Sequence, residues 1–276
     1  MEALLKHQSF FRAELEKNLN SISTQNSGEE ELLNAIKYSL ISKTAKYIRS
    51  FLIIETGKML QCDELKMKDL LKIAFAIEMI HCYSLIHDDL PSMDNSDLRR
   101  GEPSLHKKFP ESTALLAGNS LLTLAFKELS QINDAKIAIK IISKVADVSG
   151  IFGIMSGQVL DLNSKFKQEE FDVMNYHKTG KLIEICMVLP VILLEKEAVA
   201  SNLSKYGVSL GMAYQMQDDL LDEGEESFSY LTKYGSTKAL KEEIAKEISK
   251  CENAISGFQS NEILKDFPTF LSKRSF

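Results

Sequence analysis

Two aspartate-rich runs carry the chemistry most visible in this chain. The first is Ser84-Leu85-Ile86-His87-Asp88-Asp89-Leu90-Pro91-Ser92-Met93-Asp94, with Asp97, Arg99, Arg100 and Gly101 close behind; the second is Tyr214-Gln215-Met216-Gln217-Asp218-Asp219-Leu220-Leu221-Asp222. At about 100° per residue Asp88 and Asp94 point to different faces of a continuous helix, so Pro91 must break the helix to bring Asp94 back toward Asp88. Asp218 and Asp222 are four apart and share one helical face. Carboxylates crowded at the ends of apolar helices repel one another and lose solvation unless a cation sits among them. Mg²⁺ suits such a site, because it takes one or two carboxylates and completes its shell with water and phosphate oxygens. Either run alone reads as a solvated helix end. Two runs, the first followed at once by Arg99 and Arg100, predict paired acidic walls that hold divalent ions on an organic diphosphate, with the arginines neutralising the remaining charge.

The elements that position these runs read as helices throughout. Only 13 glycines and 5 prolines occur and tryptophan is absent, while 44% hydrophobic residues supply a sizeable core. Periodicity predicts a capping helix over residues 1–20, one or two helices from Glu29 to Leu60 joined near Ser42–Thr44, and a central, almost wholly apolar helix from Asp69 to Leu90. A loop must follow Pro91. Further helices are expected over Ser112–Leu129, Asp134–Ser149 and on through Gly157, Phe171–Leu194, Ala198–Leu221, and twice from Lys238 to the end. No internal repeat or linker divides residues 1–276, so a single all-α domain is expected.

Composition also excludes classes. A net charge of −6 argues against a broad nucleic-acid-binding face. Cys62, Cys82, Cys186 and Cys251 have neither zinc-site spacing nor the density of a disulfide scaffold, which fits a reducing cytoplasm. The stretch Met1–Lys17 carries Glu2, Glu14 and Glu16 and does not read as a leader; the longest apolar run, Ile185–Leu194, is interrupted by Pro190 and falls short of the roughly 20 residues of a membrane span. A soluble protein without membrane insertion is expected.

The motifs resemble, in order, those of the trans-isoprenyl diphosphate synthases, and most closely their bacterial farnesyl diphosphate synthase branch. The resemblance rests on Glu78–Asp94, Asp97-Leu98-Arg99-Arg100-Gly101, His177-Lys178-Thr179-Gly180 and Gln215–Asp222, and extends from about Thr44 to Lys233. It implies a helical bundle of ten or more helices around a central cavity, a homodimer, and head-to-tail condensation of isopentenyl diphosphate with dimethylallyl and geranyl diphosphate to give farnesyl diphosphate. It further implies three Mg²⁺ ions, with Mn²⁺ as a substitute, held by Asp88, Asp94 and Asp218 with Asp89 and Asp222 in support. Arg99, Lys178, Thr179, Gln215 and Lys233 match contacts to the allylic substrate, with Arg99 and Lys178 aiding departure of the diphosphate. Lys46, Arg49, His81 and Arg100 match a metal-free pocket for isopentenyl diphosphate; on its own, His81 reads as a core histidine.

Chain length is implied by Tyr83 and Ser84. Tyr83 lies five residues before Asp88, about 7.5 Å lower on the same helix, and matches an aromatic floor that stops the product at fifteen carbons; its plain alternative is a core aromatic. Phe75, Met79 and Tyr214 are further candidates to line a water-free cavity. Thr44-Ala45-Lys46-Tyr47-Ile48-Arg49-Ser50 departs from the family's Gly-Gly-Lys-Arg-x-Arg-Pro by losing the first arginine and the proline, which predicts weaker isopentenyl diphosphate binding. The alternatives are a geranylgeranyl diphosphate synthase and a non-catalytic prenyltransferase subunit; intact aspartates in both motifs argue against the latter. Ser112–Phe126 is the candidate dimer face.

Overall fold

The structure is a computed structural model and describes residues 2–163, 167–221 and 229–273. Its contacts gather into two compact units, one of Glu2–Phe51 with Lys68–Ile139, the other of Leu52–Met67 with the described residues from Lys140 onward. Helix dominates both, and the one sheet among the described residues is a two-stranded hairpin.

The first unit contains α1 (Glu2–Asn20), α2 (Ser27–Leu40), the start of α3 (Ile48–Met59), most of α4 (Glu64–Asp88), β1 (Leu98–Arg99), β2 (Glu102–Pro103), α5 (Leu105–Lys108), α6 (Glu111–Ser130) and the start of α7 (Ala135–Ser149). Helix α1 buries the stripe Leu4, Phe11, Leu15 and Leu19, each side chain contributing about 1.5–3 kcal/mol of hydrophobic stabilisation. The Phe11 ring lies 5.3 Å from both Tyr47 and Phe75. Asn26 starts α2 by accepting the Glu29 amide at 3.0 Å, while the Glu29 carboxylate takes the Gln25 amide at 2.6 Å, a reciprocal cap that satisfies two otherwise orphaned donors. Helix α4 is buried nearly all round. By length and composition it is long and apolar enough to cross a membrane, yet 67% of its most apolar window is buried inside the protein, as befits a core helix.

The second unit contains α8 (Ile154–Asp161), α9 (Phe171–Asn175), α10 (Lys181–Leu193), α11 (Ala200–Leu221), α12 (Tyr230–Tyr234), α13 (Thr237–Ile255) and α14 (Glu262–Ser272). Helix α11 packs between α10 and α13. Its approach to α10 depends on small residues: a Cβ at Gly207 would sit 2.5 Å from Glu184 Cα, so any side chain there must part the helices. Tyr206 is fully buried and donates to the Leu264 carbonyl at 2.6 Å.

Several elements differ from the periodicity. The Glu29–Leu60 stretch divides at residues 41–47, around the expected join at Ser42–Thr44, but the stretch beyond Asp134 divides at Gly150–Gly153. The run from Phe171 to Leu194 is interrupted by a π-helical turn at Tyr176–Gly180. The hairpin and α12 are short elements that apolar periodicity does not register. At the hairpin turn Arg100 and Gly101 take φ of 57° and 79°, the left-handed pair of a two-residue turn matched to strand twist.

Candidate active site

In the first unit, α4 ends at Asp88 and the chain turns through Pro91. The Met93 and Asn95 amides donate to the Leu90 carbonyl, and the Asp94 amide donates to the Asp88 carbonyl at 2.9 Å. The loop therefore returns Asp94 to the helix end. Asp88 is half-buried and Asp94 exposed, whereas Asp89 is only 2% exposed. Arg99 Nε donates to the two Asp89 oxygens at 3.0 and 3.1 Å, and a terminal nitrogen also donates to Oδ1. Burial disfavours this guanidinium's charge, but the bonds to Asp89 and the charges of Asp89, Asp88 and Asp94 outweigh it and hold its pKa above the ordinary arginine value. Asp89 thus spends its carboxylate anchoring Arg99, leaving Asp88 and Asp94 as the more accessible oxygens.

The same unit carries the four residues expected to bind the second diphosphate. His81 is pushed well below the ordinary histidine pKa by burial and then by the charges of Arg49, Arg100 and Arg99. Its ring is therefore neutral. Arg49 Nε is buried with no partner among the described residues, a costly condition that an anion would relieve. Arg100 is exposed at the hairpin turn, where its carbonyl accepts from Thr44 Oγ1 at 3.4 Å. Lys46 lies exposed on the loop before α3, its carbonyl held by Gln8 Nε2 at 3.0 Å.

The departures at positions 47 and 50 have a local cause. Tyr47 is buried at φ 47°, donates to the Leu40 carbonyl at 2.9 Å, and lies under Arg12, 5.9 Å from its ring centroid. Burial raises its pKa to about 12. The Ser50 amide donates to the buried Glu78 carboxylate at 2.9 Å, and Ser50 Oγ meets His7 Nε2 and the Tyr47 carbonyl, each at 2.9 Å. A proline at 50 has no amide to give. Ser50→Pro should therefore lower stability by about 1–3 kcal/mol through the orphaned Glu78, read as a fall in Tm; an unchanged Tm would contradict the role given to this bond.

Tyr83 is buried, edge-on to His87 with ring centroids 5.6 Å apart. Burial, then the Asp88 charge, raises its pKa to about 12, so it stays a neutral phenol. The His87 ring occupies space that a side chain at Gly118 would need, since a Cβ there would lie 2.2 Å from Nε2. Ser84 is half-buried and donates to the His81 carbonyl at 2.9 Å.

In the second unit, Lys178 and Thr179 occupy the π-helical turn, a local widening that recurs at functional sites. Lys178 Nζ contacts Asp161 Oδ2 at 2.5 Å. Helix α8 presses onto this backbone at Gly157, where a Cβ would fall 2.3 Å from the Lys178 nitrogen. On α11, Gln215 Nε2 donates to Asp219 Oδ1 at 3.2 Å, and Asp219 Oδ2 accepts the Tyr230 amide at 2.7 Å. Asp219 is thus a strut for α12, as Asp89 is for Arg99. Asp218 is half-buried beside it. Asp222 lies outside the described residues. Lys233, on α12, is bound by both Asp172 oxygens at 2.6 and 2.5 Å.

Sequence reasoning missed Asp161 and Asp172, the carboxylates that hold two expected substrate lysines. It also missed Gln158 and Asn175, both buried with side-chain polar atoms that have no partner among the described residues. Gly157-Gln158 inside an apolar stretch was the available signal; nothing in the spacing marked Asp172. The expected metal ligands contribute carboxylate oxygens, from Asp88 and Asp94 in the first unit and from Asp218 in the second, and no three His, Cys, Asp or Glu side chains among the described residues form a ready cage. Oxygen donors of this kind suit a hard cation whose shell is completed by substrate and water.

A polyprenyl synthetase family profile matches residues 29–232. The chain is 40% identical over 208 residues to a farnesyl diphosphate synthase of Geobacillus stearothermophilus, covering 72% of this chain and 69% of that one. It is 38% identical over 237 residues to the farnesyl diphosphate synthase of Haemophilus influenzae, covering 82% and 77%. Among solved structures, a geranyltransferase from Legionella pneumophila superposes with a TM-score of 0.88 at 34% identity, over 99% of this chain and 96% of that one. With that profile spanning most of its length and relatives near 40% identity, this chain belongs to the polyprenyl synthetase family.

Proposed function

We propose that the protein is a prenyltransferase, a farnesyl diphosphate synthase that condenses isopentenyl diphosphate head to tail with dimethylallyl and then geranyl diphosphate. Support for the product comes from the farnesyl diphosphate synthases it resembles. Support for the reaction class comes from Arg49, whose buried Nε has no partner among the described residues, and from the charges of Arg49, Arg100 and Arg99 felt at His81, which suit a second anion besides the one expected at the aspartate runs. A condensation needs two diphosphate sites, whereas ionisation and cyclisation of one substrate need one.

Asp88, Asp94 and Asp218 would hold magnesium, three ions per site with manganese as a substitute, and Asp89 and Asp222 would support them. Bound there, the metal supplies positive charge that offsets the charge growing on the departing diphosphate. Lys178, Thr179, Gln215, Lys233 and Arg99 bind and orient the allylic diphosphate. Arg99 arrives already oriented by Asp89. Lys46, Arg49, His81 and Arg100 hold isopentenyl diphosphate, with His81 donating as a neutral ring. When the allylic C–O bond breaks, the double bond of isopentenyl diphosphate attacks the cation, and the proton lost from the adduct passes to the released diphosphate. No side-chain nucleophile takes part. Apolar walls exclude water that would quench the cation, and Tyr83, with Ser84 beside it, sets the depth available to the growing tail.

Residues 1–276 act in this reading as one catalytic domain. The protein works as a homodimer in the cytoplasm: its four cysteines are free thiols, and the Ser112–Phe126 face of α6, with Leu115 and Leu116 exposed, supplies the dimer surface. Incubation with Mg²⁺, isopentenyl diphosphate and dimethylallyl diphosphate should give a fifteen-carbon product by chromatography. A twenty-carbon product would make it a geranylgeranyl diphosphate synthase, and no prenyl product would overturn the reading. Tyr83→Ala should shift the product to twenty carbons or longer; an unchanged profile removes Tyr83 from the floor of the pocket.

A further inference from the structure

Asp172 belongs to none of the motifs, yet it grips Lys233. The lysine sits on α12, which at five residues is far too short to persist unaided. Its place is set from outside. Ser229 caps it, Asp219 takes the Tyr230 amide at 2.7 Å, and Gly235 ends it at φ 75°. Tyr230 is fully buried, with its ring centroid 4.8 Å from that of Phe171, Asp172's neighbour on α9. The Lys233 ammonium lies 5.6 and 5.7 Å from the Tyr230 and Tyr234 ring centroids, within cation–π range. Both Asp172 oxygens complete its surroundings at 2.6 and 2.5 Å.

We propose that Asp172 is a positioning residue that acts through Lys233: it orders the ammonium and clips α12 to α9 before the allylic diphosphate arrives. The proposal rests on the reading of Lys233 as a diphosphate contact. Two effects oppose each other. The carboxylate competes with the incoming diphosphate for the ammonium, but a half-exposed ion pair is weak and a diphosphate bears more charge. Lysine also loses more rotamer freedom on immobilisation than most side chains, and Asp172 has removed that freedom in advance. Pre-ordering therefore dominates, and losing Asp172 should weaken substrate binding.

Asp172→Asn should raise KM for geranyl diphosphate about three- to tenfold, with kcat and KM for isopentenyl diphosphate within about twofold of the parent, and Asp172→Glu should restore most of the loss. The substitution should add nothing in a Lys233→Met background, a non-additivity that a purely structural role would not produce. Independently of turnover, hydrogen exchange of the 230–235 amides in the full chain should quicken several-fold in Asp172→Asn and recover in Asp172→Glu. Unchanged exchange, or an equal rise in KM with and without Lys233, would overturn the proposal. Should the parent turn over no allylic diphosphate, the function reading fails, while the exchange measurement still decides whether Asp172 holds α12.

Discussion

Asp88→Asn and Asp218→Asn should each cut kcat about a thousandfold, roughly 4 kcal/mol at 1.36 kcal/mol per tenfold. Neutralising charge on the leaving group supplies most of the barrier reduction in this chemistry, and the change to asparagine keeps shape while removing a metal-holding charge. The fold should survive. The Asp94 amide is received by the Asp88 backbone carbonyl, which the substitution leaves intact, and Asp218 is half-buried at the end of α11. Chelation with excess EDTA should reproduce the loss in the parent, and restored Mg²⁺ should reverse it. A variant that keeps more than a tenth of parental kcat with an unaltered metal requirement would remove that aspartate from the reaction.

The second large effect concerns Arg49. Because its Nε is buried with no partner among the described residues, Arg49→Met should cost binding without costing stability. Loss of one charge-assisted contact is worth about 1.5–3 kcal/mol, so KM for isopentenyl diphosphate should rise about ten- to a hundredfold, with KM for geranyl diphosphate nearly unchanged. Tm should hold or rise, since an orphaned donor leaves the interior. Removing this charge should also let the His81 pKa climb toward the ordinary histidine value, because Arg49 follows burial among the causes that depress it. A His81 resonance that titrates identically in parent and variant would show that the two residues do not share a pocket.

How far the sequence disclosed this arrangement depended on the range of the interactions. Helix α4 and the stripe on α1 were legible because apolar spacing records burial directly. The turn at Pro91 was legible because proline dictates local backbone. What spacing could not disclose was which carboxylate pairs with which cation. Asp88 and Asp89 are adjacent and chemically alike, yet one stays accessible and the other is buried under Arg99, a distinction made by the hairpin that returns Arg99 to the helix end. Asp218 and Asp219 part in the same way, through the Tyr230 amide. The Asp161 and Asp172 pairings bridge separate elements and leave no periodic trace. Likewise the altered motif around Lys46 predicted only a deficit, while the structure supplies a reason: Tyr47 and Ser50 are bonded into the packing of α1 and Glu78.

Calorimetric titration with inorganic pyrophosphate examines the metal-carboxylate proposition most directly. The parent protein should bind pyrophosphate tightly in Mg²⁺ and weakly in EDTA, and Asp88→Asn and Asp218→Asn should each weaken the metal-dependent part. Equal binding with and without the metal, or metal-dependent binding that survives both substitutions, would mean that lysines and arginines alone hold the diphosphate and that the two aspartate runs are solvated helix ends after all.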